Sequence, residues 1–188
     1  MAMIGIKAPF DLAEQLKKNS VPGKQLSPEE MHITMFYFEK QLKIKDVITI
    51  IGAAHDALKR SGPFQVRGNK ITTFPKGDDG VPVIVPIISD ELLTIRKRMA
   101  SKFDSEDIVF SKKYPEYKPH LTLSYATKEM EDEKLDKAVS WKVKDIVLWA
   151  GDNMDGGIIV SLPLTKQATR YDLHAVYSDV FEKLAARL

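Results

Sequence analysis

Met31-His32-Ile33-Thr34-Met35 and Pro119-His120-Leu121-Thr122-Leu123 are the two stretches that decide the reading of this chain. Each carries His-x-Thr inside an apolar run of strand-forming residues. In an extended strand successive side chains point to opposite faces. His and Thr two positions apart therefore stand side by side, while Ile33 or Leu121 turns into a core. The same alternation puts Phe36 and Phe38 on the face of His32 and Thr34, and Ser124 on the face of His120 and Thr122. Of the four His in the chain, His32 and His120 sit in this pattern.

Outward from these strands the apolar spacing switches between two and three to four residues. Met3 to Ala8 reads as a strand, and Asp11 with Glu14 opens a short helix to Lys18. Val21-Pro22-Gly23 breaks the chain before the first motif strand, which ends near Phe38. Ile44, Val47, Ile48, Ile51, His55 and Leu58 have helical spacing up to Arg60, and Ser61-Gly62-Pro63 stops the run. Phe64–Phe74 and Val81–Ile88 read as a hairpin across Lys76-Gly77-Asp78-Asp79-Gly80. Ser89-Asp90-Glu91 starts a second helix striped by Leu92, Ile95, Met99 and Phe103. Lys128 to Lys137, dense in charge, is expected as a surface helix. Strands are expected over Val143–Trp149 and Gly157–Leu162, with Gly-rich turns between them, and an amphipathic helix over Asp172–Leu188. The mixture predicts an α+β fold with mainly antiparallel sheets.

With 188 residues the chain fits one domain or two lobes sharing an interface, and it contains no Cys. Disulfides, thiolate metal sites and a Cys nucleophile are thereby excluded. The N-terminus lacks the pattern of a signal peptide and no window is long and apolar enough for a membrane span, so the expected setting is cytoplasmic, without membrane. A net charge of +2 is too mild for a duplex-DNA binder. Lys112, Lys113 and Lys118 nevertheless gather around the second motif, whereas Arg96, Lys97, Arg98 and Lys102 are expected on a solvated helix face.

Two imidazoles with an ordinary pKa near ~6.5 can act as acid and base near neutral pH. Two hydroxyls beside them can donate to phosphoryl oxygens. A metal pair is the weaker reading, because a zinc or iron site wants three or four protein ligands and none stands beside either His. Spacing alone leaves a structural pair and an acid–base pair open. His55, on the apolar stripe of its helix, and His174, beside the inner face of the terminal helix, are expected in packing roles. Phe36 is either a base-stacking platform or a core aromatic, the commoner fate of an aromatic in a strand. Tyr114, Tyr117 and Lys118 precede the second motif and are candidates to stack a base and hold a phosphate, with a plain solvated loop as the alternative.

The stretches Glu30-Met31-His32-Ile33-Thr34-Met35-Phe36-Tyr37-Phe38 and Tyr117-Lys118-Pro119-His120-Leu121-Thr122-Leu123-Ser124 resemble the twin H-x-T/S-x signatures of the 2H phosphoesterase superfamily, in its 2′-5′ RNA ligase-like (LigT-like) branch. The order of elements fits as well, from about Met3 to Leu162. The resemblance implies a bilobal, pseudo-two-fold fold in which sheets line a central cleft and helices lie outside. It implies one bilobal domain over 1–188 with a core of about 3–162; the C-terminal helix, about 165–188, is not accounted for by that pattern and is expected as an extension. It also implies that His32 and His120 form the acid–base pair and that Thr34 and Thr122 bind phosphoryl oxygens. Phe36, Tyr114, Tyr117, Lys118 and Ser124 are the candidates for substrate contact. The expected activity is a phosphodiesterase without metal or cofactor. Its expected substrate is a 2′,3′-cyclic phosphate, a 2′-5′ linkage or a cyclic oligonucleotide. A non-catalytic nucleotide- or RNA-binding module, or ligation in the reverse direction, is the alternative.

Overall fold

Apolar residues that recur at two-residue spacing build two antiparallel sheets, seen in a computed structural model that describes residues 2–39, 42–150 and 158–165, together with 177, 178 and 182. The first sheet is built from β1 (Ala2–Lys7), β3 (His32–Phe38), β8 (Asp145–Ala150) and β9 (Ile158–Pro163), in the order β3-β1-β8-β9. The second is built from β2 (Lys24–Gln25), β4 (Phe64–Thr73), β5 (Val81–Pro86), β6 (His120–Ala126) and β7 (Glu133–Val143), in the order β2-β6-β5-β4-β7. One motif strand lies in each sheet. The helices α1 (Phe10–Lys17), α2 (Ile44–Leu58) and α3 (Asp90–Ser105) pack around them.

The inner faces of both sheets share one core. Ile4, Phe36, Leu148 and Val160 enter it from the first sheet, Val66, Val85 and Leu121 from the second. α2 supplies Val47, Ile50, Ile51, Ala54, Leu58 and a buried His55, with Ile44 left exposed at its first turn. α3 buries Leu92, Ile95, Met99 and Phe103, the stripe expected from sequence, and the Ser89 hydroxyl caps it by accepting from Leu92 N–H at 3.3 Å. Gly77 and Gly80 close the β4–β5 hairpin through paired backbone bonds.

The charged stretch 128–137 is not a helix. Its second half opens β7, which pairs with β4 from Phe64↔Val143 to Ile71↔Glu133. Leu135, Val139, Trp141 and Val143 are its buried residues. The register slips between Gly68 and Lys70, and the flanking buried residues Leu135 and Val139 are four positions apart. That spacing imitates a helix, and cross-strand burial overrides the helical preference of the Lys and Glu around it. Val143 ends β7, and after Lys144 the chain passes from the second sheet into the first as β8. The turn expected at 151–157, His174 and nearly all of the expected terminal helix lie outside the described residues.

β2 is only two residues long, yet it covers the outer edge of β6 through Lys24↔Tyr125 and Gln25↔Ser124. Gly23 makes the approach possible. Its φ is +89°, and a Cβ there would stand 2.1 Å from the Tyr125 carbonyl oxygen. Gly23→Ala is expected to destabilise the protein by about 2 kcal/mol or more, from left-handed backbone strain and displaced pairing together. A urea titration should show a lower midpoint at unchanged slope, and an unchanged midpoint would refute this account of the β2–β6 contact.

Candidate active site

Strict alternation stops midway along each motif strand. Opposite β3, Ile4 pairs with Phe36 and the next residue, Gly5, pairs with Thr34, so Met35 is an extra residue. Opposite β6, Val83 pairs with Ser124 and Ile84 with Thr122, so Leu123 is extra. Both strands thus carry a bulge three residues after the His. The consequence is the same burial order in both, with His, Thr and the Tyr at the sixth position half-buried and the other four residues buried.

The bulge overturns the expected placement of Phe36 and Ser124. Phe36, 2% exposed, turns into the core against Phe103 and Phe110, with ring centroids 4.9 and 5.1 Å away. Phe38 is buried as well. Ser124 has no exposed surface, and its hydroxyl donates to the Pro22 carbonyl at 2.6 Å. Neither stands beside the motif His. Tyr37 and Tyr125 take the half-buried positions instead. Tyr37 pairs with Met3, Met3 pairs with Trp149, and the three form a separate apolar cluster with Val147 on the His32 side of the sheet.

The two imidazoles are held alike. His32 Nδ1–H donates to the Glu30 carbonyl at 2.6 Å, and His120 Nδ1–H donates to the Lys118 carbonyl at 2.7 Å. A carbonyl only accepts, so in each ring Nδ1 carries the hydrogen and Nε2 is left for chemistry. In neutral His32, Nε2 accepts from the Thr34 hydroxyl at 3.1 Å. Each ring also leans on an aromatic that sequence reasoning misses, Trp149 beside His32 at 5.7 Å and Phe74 beside His120 at 4.6 Å. Gly5 admits the indole, since a Cβ there would meet Trp149 at 3.2 Å and the Ile33 carbonyl oxygen at 2.4 Å.

The motif strands lie side by side and run in opposite directions. Tyr117 at the approach to β6 donates its hydroxyl to the Thr34 carbonyl at 3.1 Å, and Ser111 N–H donates to the Tyr37 carbonyl at 2.7 Å. At the other end Tyr125 of β6 feels the Glu30 carboxylate beside the start of β3, together with Asp79 of the hairpin. Burial first, then the two carboxylates, raise the Tyr125 pKa, so its hydroxyl stays protonated. Burial lowers the pKa of both His, against the pull of their carbonyl partners. His120 is lowered further by the charge of His32, so the two imidazoles lie within electrostatic reach of each other.

Among the other candidates, Tyr117 is turned inward, while Tyr114 is 73% exposed with Lys113 5.7 Å from its ring. Lys118 is exposed and pairs with Glu116 at 3.1 Å. Lys112 pairs with Asp104 at 3.2 Å and Lys113 with Asp78 at 3.7 Å. The helix face expected to be solvated is so only in part. Arg96 is half-buried, with its guanidinium 4.4 Å from the Phe36 ring centroid and 4.7 Å from that of Tyr117. Arg98 is half-buried too and donates to the buried Ser61 hydroxyl. Among the described residues no group of three His, Cys, Asp or Glu side chains gathers around a common point.

Residues 8–155 match the model of the 2′-5′ RNA ligase superfamily. No curated protein sequence matches. Among solved structures, TT0787 of Thermus thermophilus superposes with a TM-score of 0.69 at 15% identity, covering 89% of this chain and 99% of that one. A protein described as a phosphoesterase gives 0.67 at 16%, covering 87% and 94%. E. coli LigT complexed with 3′-AMP gives 0.65 at 15%, covering 87% and 94%. The chain belongs to the 2′-5′ RNA ligase superfamily and has the LigT-like fold.

An NMR titration of the imidazoles tests the geometry directly. Both His32 and His120 are expected to titrate below ~6.5, and His32→Gln should move the His120 midpoint upward by removing a positive neighbour. A His120 midpoint indifferent to His32→Gln would show that the rings do not share one site.

Proposed function

We propose that this member of the superfamily is a phosphodiesterase that needs no metal ion and cleaves a small nucleotide phosphodiester by acid–base catalysis between His32 and His120. The observation that carries the reading is the matched pair of backbone-anchored imidazoles, each with Nε2 free of the main chain, on neighbouring strands close enough for the charge of His32 to lower the pKa of His120. A binding module has no need of two titratable rings held this way. Structural relatives offer support of a coarser kind, since E. coli LigT has been crystallised with 3′-AMP, phosphate, ATP and NADP+. We take 1–188 as one bilobal domain acting in the cytoplasm.

In this mechanism one neutral imidazole takes a proton through Nε2 from the attacking oxygen, a water or a ribose hydroxyl, as that oxygen bonds to phosphorus. The other imidazole, protonated, gives its proton to the leaving oxygen as the second P–O bond breaks. In-line displacement requires the two rings on opposite sides of the phosphorus. Thr34 and Thr122 donate to the non-bridging oxygens. When Thr34 turns to the phosphoryl group its hydrogen bond to His32 Nε2 is released, leaving that nitrogen to accept. Substrate candidates are a 2′,3′-cyclic phosphate, a 2′-5′ linkage and a cyclic oligonucleotide. The same pair run backwards would join RNA ends.

The test is turnover, in EDTA, on a panel of 2′,3′-cyclic phosphates, 2′-5′ oligonucleotides and cyclic di- and trinucleotides. His32→Ala and His120→Ala should each lose roughly 10²–10⁴-fold in kcat. Loss of activity on chelation would end the metal-free mechanism, and binding without turnover across the panel would favour a nucleotide-binding module. The mechanism needs one ring charged and one neutral, and burial lowers both, so kcat/KM should follow a bell-shaped pH profile. Its maximum is expected below ~6.5, the ordinary His pKa. A maximum well above that value would contradict the assignment of the two His.

A further inference from the structure

We propose that Arg96 and Tyr117 are positioning residues for the first motif, holding the bulged outer edge of β3 so that His32 and Thr34 face His120. Its kinetic consequence rests on the acid–base reading above; its geometry does not.

Among the described residues β3 is the edge strand of its sheet, with β1 on one side and no strand on the other. Carbonyls on the open side need donors, and a bulge makes the need acute because it breaks the ladder. Beyond the bulge Ser111 N–H serves the Tyr37 carbonyl; at the bulge itself the donors are side chains from elsewhere in the chain. Tyr117 Oη donates to the Thr34 carbonyl at 3.1 Å, and Arg96 Nε donates to the carbonyl of Met35, the extra residue itself, at 3.1 Å. The two donors brace each other, because the guanidinium lies between the Phe36 and Tyr117 rings. A planar cation between two rings has little freedom to swing, so its Nε–H is aimed.

The second motif solves the same problem differently. The carbonyl of its extra residue, Leu123, accepts from the backbone N–H of Leu26 at 2.8 Å, next to β2. One bulge is therefore closed by main chain and the other by two side chains. Tyr117 also stands one residue before Lys118, whose carbonyl orients the His120 ring. A single phenol thus ties the middle of the first motif to the segment that aims the second imidazole. Reaction between two groups on separate strands is sensitive to shifts of about 1 Å, which can cost ~10²-fold.

Tyr117→Phe keeps the ring against Arg96 and removes the donor; Arg96→Lys keeps the cation and removes Nε. In both variants kcat on the best panel substrate should fall about 10-fold or more while KM stays within about twofold. By NMR the His32 midpoint should shift. If the wild type turns over nothing, the acid–base reading fails, and the His32 titration still decides the positioning role. Wild-type kcat and an unmoved His32 midpoint in both variants would overturn the proposal. So would a lowered unfolding midpoint with wild-type kcat per folded molecule, which marks a purely structural role.

Discussion

Met35 and Leu123 each add a residue that the neighbouring strand does not match, and both sheets are organised around that surplus. Before the bulge, His and Thr share the half-buried face of each motif strand and the residue between them enters the core. After it the phase reverses, so two buried residues follow in succession and a Tyr returns to the His side. Without the reversal, Phe36 would leave its contacts with Phe103 and Phe110, and the hydroxyl of Ser124 would lose the Pro22 carbonyl. The core and the candidate site are thus consistent with each other only because each motif strand is one residue too long.

Charge around the site is more nearly balanced than the Lys-rich lead-in suggests. Lys112, Lys113 and Lys118 each meet a carboxylate, and these exposed pairs are worth little in stability but do offset the local positive field. At the imidazoles themselves desolvation dominates, and at His120 the charge of His32 adds to it.

Much of this is legible in the sequence, for reasons that can be named. His and Thr share a half-buried face, as strict alternation predicts, because in each strand the bulge falls after the Thr. α3 is visible because Leu92, Ile95, Met99 and Phe103 follow its turn and Ser89 caps it. The bulges are not visible: an extra residue alters which face the fifth position takes without altering composition, and strict alternation misplaces Phe36 and Ser124 for that reason. The start of β7 reads as part of a surface helix because the dense charge of 128–137 masks the one buried residue it carries into the sheet, Leu135. Trp149 and Phe74 escape notice because they reach the imidazoles from segments distant in sequence, through pairings no local pattern encodes. Arg96 reads as one of a run of surface cations, and only the packing of Phe36 and Tyr117 around it shows otherwise.

The unequal closure of the two bulges has an evolutionary consequence. Where main chain supplies the donor, as Leu26 does for Leu123, no point substitution short of proline can withdraw it without rerouting the chain. Where side chains supply it, single codon changes at Arg96 or Tyr117, both outside the first motif strand, can retune that half of the site and leave its His and Thr intact. Divergence in such a lineage would then accumulate asymmetrically, with the second half fixed in path and the first half free to drift in alignment. Two motifs that look interchangeable on paper would differ in how readily selection can adjust them.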